Sequence, residues 1–93
     1  MVGILHLNLL LPGCMSLKEK RSRIQPILHR LHREFNISAA EMDYLDKWST
    51  SRLACAVISN DAVHSQQVLQ EVTKFLLLHF QDVEITDYSI ELI

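Results

Sequence analysis

Ninety-three residues are enough for one domain with a single core, and no apolar run approaches the roughly 20 residues that a membrane-spanning helix needs. Hydrophobic residues at 48% with 22% charged residues form an ordinary globular balance, which excludes a disordered or fibrous chain. The net charge of −2 hides an asymmetry: six Lys/Arg against two acids leave residues 1–35 at +4, and three against nine leave residues 36–93 at −6. Such a split points either to a polyanion-facing side or to an internal match between a basic helix and an acidic remainder. Cys14 and Cys55 stand far apart with no C-x-x-C spacing, which predicts free thiols and a cytoplasmic setting.

Val2 to Leu11 alternates, with Gly3, Leu5, Leu7, Leu9 and Leu11 on one face and Val2, Ile4, His6, Asn8 and Leu10 on the other. The stretch has no basic lead-in and contains His6 and Asn8, so it is expected as a strand and not a signal peptide. Pro12-Gly13 then breaks it. Ser16 to Phe35 reads as one amphipathic helix opened by the S-x-x-E capping box of Ser16 and Glu19. Its apolar stripe is Leu17, Ile24, Ile27, Leu28, Leu31 and Phe35. Pro26 removes the bond to the Ser22 carbonyl, but the stripe keeps its phase across it, so a single kinked helix is expected.

Asn36 to Asp43 is a weaker strand, and Tyr44 to Ser51 is a polar connection carrying Tyr44 and Trp48. Arg52 to Ser59 is apolar on both faces, as a central strand would be. Asp61 is placed to start a second helix running to about His79, with Val68, Leu69, Val72, Phe75 and Leu76 inward. On its outer side fall Gln66, Gln67, Gln70, Thr73 and Lys74, with Leu77 an exposed apolar exception. Val83 to Ile93 forms the last strand, and its alternation changes parity near Thr86–Asp87, which predicts a bulge.

The order β-α-β-β-α-β over residues 1–93 predicts one α+β domain, a ferredoxin-like sandwich with a four-stranded antiparallel sheet and both helices on one face. The other face would show His6, Asn8 and either Ala54, Ala56 and Ile58 or their neighbours, an apolar surface that invites a second layer, most simply a copy of itself.

The run Pro12 to Arg21 (PGCMSLKEKR), then Phe35 to Glu41 (FNISAAE), Asp46 with Trp48, and Ser59-Asn60-Asp61 resembles the YlxP-like family of small bacterial proteins along essentially the whole chain. The resemblance implies a ferredoxin-like fold and a bacterial cytoplasmic protein, and it brings no catalytic residues with it. Genes of that family often lie near translation-initiation and ribosome-maturation genes, which implies RNA or the ribosome by association.

Three cations in the first helical turn, Lys18, Lys20 and Arg21, oppose the helix macrodipole, each by roughly 0.3–1 kcal/mol if unscreened. They make sense if an anion binds at the free N–H groups there, or if carboxylates of the acidic remainder or solvent satisfy them. Arg23, Arg30 and Arg33 extend the same surface and would suit RNA phosphates. Base stacking on the sheet is not expected, because Arg52 to Ser59 holds no aromatic.

Tyr44 and Trp48 read equally as anchors of a protein contact or as caps on the core's open end. Ala54 and Ala56 are the candidate interface residues of the sheet. His29 and His32, at i and i+3, have no third ligand near in sequence, so no metal site is expected. No cofactor, small-molecule substrate, membrane contact or nucleophile–base–oxyanion set is read from the residues. The expectation is a non-enzymatic binding protein for RNA or a ribonucleoprotein through the first helix. The alternative is a homo-oligomeric interaction module, a homodimer in its simplest form, using the open sheet face.

Overall fold

In the computed structural model, which describes all residues 1–93, the elements follow the expected order. They are β1 (Val2–Leu10), α1 (Leu17–Glu34), β2 (Ser38–Asp43), β3 (Thr50–Ile58), α2 (Ala62–His79) and β4 (Glu84–Leu92). The sheet order is β2-β3-β1-β4 with every pairing antiparallel, the ferredoxin-like α+β arrangement. No helix is long and apolar enough to cross a membrane.

The period-2 pattern of β1 decides the sandwich. Leu5, Leu7 and Leu9, with Leu11 beyond the strand, are fully or almost fully buried against both helices. Removing such side chains from water stabilises by about 1.5–3 kcal/mol each. From the strand beside β1, Leu53, Cys55 and Val57 join them, and the helices contribute Ile24, Ile27, Leu31, Leu69, Val72 and Leu76. At Gly3, α2 lies so close that an added Cβ would stand 3.1 Å from Leu69 Cδ1, so the Leu69 side chain would have to give by a few tenths of an ångström. Gly13 has φ of +73°, the left-handed conformation that lets the chain turn from β1 into α1.

Both helix starts form as their sequences dictate. Ser16 Oγ accepts the Glu19 N–H at 3.0 Å, and the Glu19 carboxylate accepts the Met15 N–H at 2.8 Å, one residue before the cap. Asp61 Oδ1 accepts from the Val63 and His64 N–H groups. Helix α1 runs unbroken through Pro26, with Ile24 and Ile27 buried on either side of it. The parity change in the last strand is a bulge: the register of β4 against β1 shifts between Asn8 and Leu9, opposite Thr86.

Two expectations need correction. Thr73 is buried, because its hydroxyl is satisfied within the helix by the Leu69 carbonyl at 3.4 Å and its methyl can then face inward. Lys20 is also buried, at 2% exposure.

Candidate interaction surface

The six cations of α1 divide by what they touch. Lys20 lies on the same stripe as Ile24, Ile27 and Leu31, and its stem packs there. Its Nζ sits 2.9 Å from Glu41 Oε2 on β2 and donates to the Tyr44 carbonyl at 2.5 Å. Glu41 Oε2 also accepts from the buried Ser51 hydroxyl at 2.6 Å. A closed polar network therefore joins α1, β2, β3 and the β2–β3 connection, and Lys20 is not available to an external anion. The charge is tolerated because a carboxylate and a carbonyl replace its water.

Arg23 is engaged as well. Its Nη1 donates to the Pro12 carbonyl at 2.8 Å, its Nη2 to the Asp82 carbonyl, and its Nε lies 3.4 Å from the Asp82 carboxylate without hydrogen-bond alignment. The residue thus straps the β1–α1 turn to the α2–β4 turn. Arg30 lies over the rings of Phe75 and Phe80, 5.1 and 5.9 Å from their centroids, and fastens α1 to α2. Lys18, Arg21 and Arg33 remain exposed. Arg33 approaches Glu34 at 3.6 Å, and Lys18 and Arg21 take part in no ion pair. Lys18 and Arg21 are one turn apart, whereas Arg33 is about 22 Å along the axis from Lys18. The basic surface read from the sequence is half the expected size and split in two.

The β2–β3 connection goes the other way. Tyr44 takes a φ of +61°, a conformation costly for a non-glycine residue and held here by the Lys20 ammonium on its carbonyl and by Asp43 Oδ1 on its N–H. The connection projects outward instead of capping the core: Trp48 is 50% exposed, and Met42, Tyr44 and Leu45 are exposed beside it.

Ala54 and Ala56 lie on the face of the sheet opposite the helices. Register places Ser38, Ala40 and Asp43 of β2 beside Ala56, Ala54 and Arg52 of β3, which in turn lie beside Ile4, His6 and Asn8 of β1. Ile4, Ser38, Ala40, Ala54 and Ala56 line a shallow depression, with Met42 at its rim. Ile58, at 81% exposure, continues the apolar strip.

Sequence reasoning passed over the neighbouring column. On β4, the residues facing the same side are Glu84, Asp87, Ser89 and Glu91, opposite Leu10, Asn8, His6 and Ile4. The bulge at Thr86 is what puts Glu84 and Asp87 on one face despite their odd spacing, so the parity change already held the signal. His6 Nε2 lies 3.7 Å from Glu91 Oε1.

The remaining candidates are engaged locally. His32 Nε2 accepts the Ala39 N–H at 3.2 Å, and Cys14 is buried with Sγ donating to the Ser16 carbonyl at 3.5 Å. The Cys55 thiol, enclosed in the core, is pushed up by desolvation to about 12, which keeps it protonated.

A family model described as "Protein of unknown function (DUF503)" matches residues 2–90. The chain is also 33% identical over 76 residues to "Uncharacterized protein YlxP" of Bacillus subtilis (strain 168), an alignment covering 82% of this chain and 83% of that protein. With the motifs, the element order and the sheet topology in agreement, the chain belongs to the DUF503 family and is YlxP-like.

Proposed function

We propose that the protein is a non-enzymatic, cytoplasmic binding module that recognises another protein through the open face of its sheet and the β2–β3 connection. The observation that carries this reading is the pairing of an uncovered floor, Ala40, Ala54 and Ala56, with the exposed apolar side chains Met42 and Ile58 beside it, while Trp48 stands exposed on the adjoining connection. Both cysteines are free and enclosed, which suits a reducing compartment and a thiol kept out of chemistry. The test is binding of the apolar dye ANS, followed by backbone NMR, with sedimentation velocity alongside. The wild type binds the dye or self-associates through Ala54 and Ala56, and Ala54→Arg removes that behaviour while leaving far-UV circular dichroism unchanged. A face that stays monomeric and takes up no dye removes the reading.

Contact with RNA or a ribonucleoprotein through α1 is the second reading, favoured by the exposed, unpaired Lys18 and Arg21 beside the N-cap. Its test is binding to structured RNA at two salt concentrations with Lys18→Glu/Arg21→Glu. Lys20 is left unchanged because its replacement would disturb the core. Salt-dependent binding lost in the double variant supports this reading, and no binding at low salt removes it.

A further inference from the structure

The open face has a charge as well as a shape, and the charge selects its occupant. Four carboxylates face this side, Asp43 on β2 and Glu84, Asp87 and Glu91 on β4, against Arg52 on β3 and Lys47, which the β2–β3 connection brings beside Asn8, Thr50 and Thr86; the face is net negative, at −2 with His6 counted as neutral. A face-to-face pair of identical sheets would bring two such surfaces together. With the two-fold axis across the strands, β4 would oppose β4 and stack the carboxylates on each other. With the axis along the strands, β4 would oppose β2, whose facing residues are Ser38, Ala40 and Asp43. Neither arrangement supplies the cations that the β4 column lacks, and like charges brought together at an interface select against a partner.

A helix fits the floor better than a second sheet does. The small side chains Ala40, Ala54 and Ala56 let a helix backbone come close, and the cylinder of about 10 Å diameter spans roughly two strands at their 4.8 Å spacing. The acidic column runs parallel to this floor on β4, one strand beyond it across β1, a gap that the long side chains of Lys or Arg on the helix bridge. Asp87 and Glu91, four residues apart on a strand, stand about 13 Å from one another, close to the roughly 11 Å between cations two turns apart on a helix. We propose that the open face, resting on the recognition role assigned to it above, docks a basic amphipathic helix of another protein. The helix's apolar stripe lies on Ala40, Ala54 and Ala56, and its Lys or Arg residues pair with Glu84, Asp87 and Glu91. The same carboxylates blunt the free edge of β4 against unwanted strand pairing.

The test uses the full chain and a synthetic helical peptide of Leu and Lys in amphipathic register, with its Leu/Glu counterpart as control. Calorimetry and backbone NMR of the protein should show binding of the Lys peptide, with shifts at Ala40, Ala54 and Ala56. Binding should fall about tenfold or more as salt is raised. Asp87→Lys/Glu91→Lys should weaken the Lys peptide about tenfold or more and admit the Glu peptide, and Ala54→Arg should block both. No binding of the Lys peptide while ANS still binds the face overturns this occupant and leaves the recognition role standing. Equal binding of both peptides, indifference to the charge reversal, or a dimer dissociated by Ala54→Arg overturns it too, the last in favour of a second copy. Absence of dye binding, self-association and peptide binding removes both readings.

Discussion

The two faces of the sheet treat charge in opposite ways. Beneath the helices, cations are engaged by the fold: Lys20 with Glu41 and Tyr44, Arg23 with Pro12 and Asp82, Arg30 with Phe75 and Phe80. On the other side, Glu84, Asp87 and Glu91 stand exposed, and Glu91 alone of the three lies beside an imidazole, that of His6 at 3.7 Å. Half of the α1 cations therefore serve the fold, leaving Lys18, Arg21 and Arg33 in solvent, while the open face of the sheet presents accessible negative charge. A count of charges along a sequence says where ionised groups occur but not which of them face solvent.

The comparison breaks first at Lys20. Lys20→Met leaves Glu41 without its buried partner and Tyr44 without its donor, and should cost about 3 kcal/mol in urea unfolding. The emission and anisotropy of Trp48, the only tryptophan, should report a loosened connection. Lys20→Met/Glu41→Leu should recover most of that stability but not the Trp48 signal, because the double variant still lacks the donor to Tyr44. Full recovery of both would detach the network from the loop.

Alkaline unfolding comes next. The folded Cys55 thiol titrates near 12 against an ordinary 9.0, so the folded chain holds that proton more tightly than the unfolded one. The resulting stability is complete below pH 9 and declines as pH rises toward 12, by about 1.4 kcal/mol per pH unit. Cys55→Ala should flatten that slope while lowering stability at neutral pH, as measured by urea titration from pH 8 to 11. An identical slope in the variant would assign the alkaline loss to other groups.

Arg30→Ala should follow at about 1 kcal/mol from the loss of the Phe75 and Phe80 contacts, whereas Arg30→Met, which keeps the stem, should lose less. Lys18→Ala/Arg21→Ala marks the small end of the scale. Two cations opposing a helix dipole are removed, and Tm should move by less than about 3 °C, upward if at all. A large fall would place those residues among the engaged cations.

Local chemistry was readable before any coordinates. The Ser16–Glu19 box, the Asp61 cap, the β1 alternation and the bulge near Thr86 each depend on residues within a few positions of one another, and each formed. For Lys20 the sequence leaves open an external anion, solvent or a carboxylate of the acidic remainder; the partner is Glu41, 21 residues away on β2, and no periodic pattern announces a long-range ion pair. Its position four residues before Ile24 on the apolar stripe was the available signal. The outward projection of Tyr44 and Trp48 was open for the same reason, since it hangs on Lys20. At Thr73 a helical carbonyl takes up the hydroxyl so that the side chain can be buried, which composition alone does not reveal.

The central position of β1 has a consequence for synthesis. β1 is flanked by β3 and β4, with Val2 bonded to Ile93 across the β1–β4 ladder, so one of its edges stays open until β4 has been made. Pairing at that sequence separation raises contact order and slows closure. Meanwhile the Leu-rich stretch from Leu5 to Leu11 waits on the nascent chain as an unpaired apolar strand, the kind of segment that chaperones hold. A truncation that removes β4 should leave a chain that aggregates through β1, and supplying the Glu84–Leu92 segment in trans should rescue it.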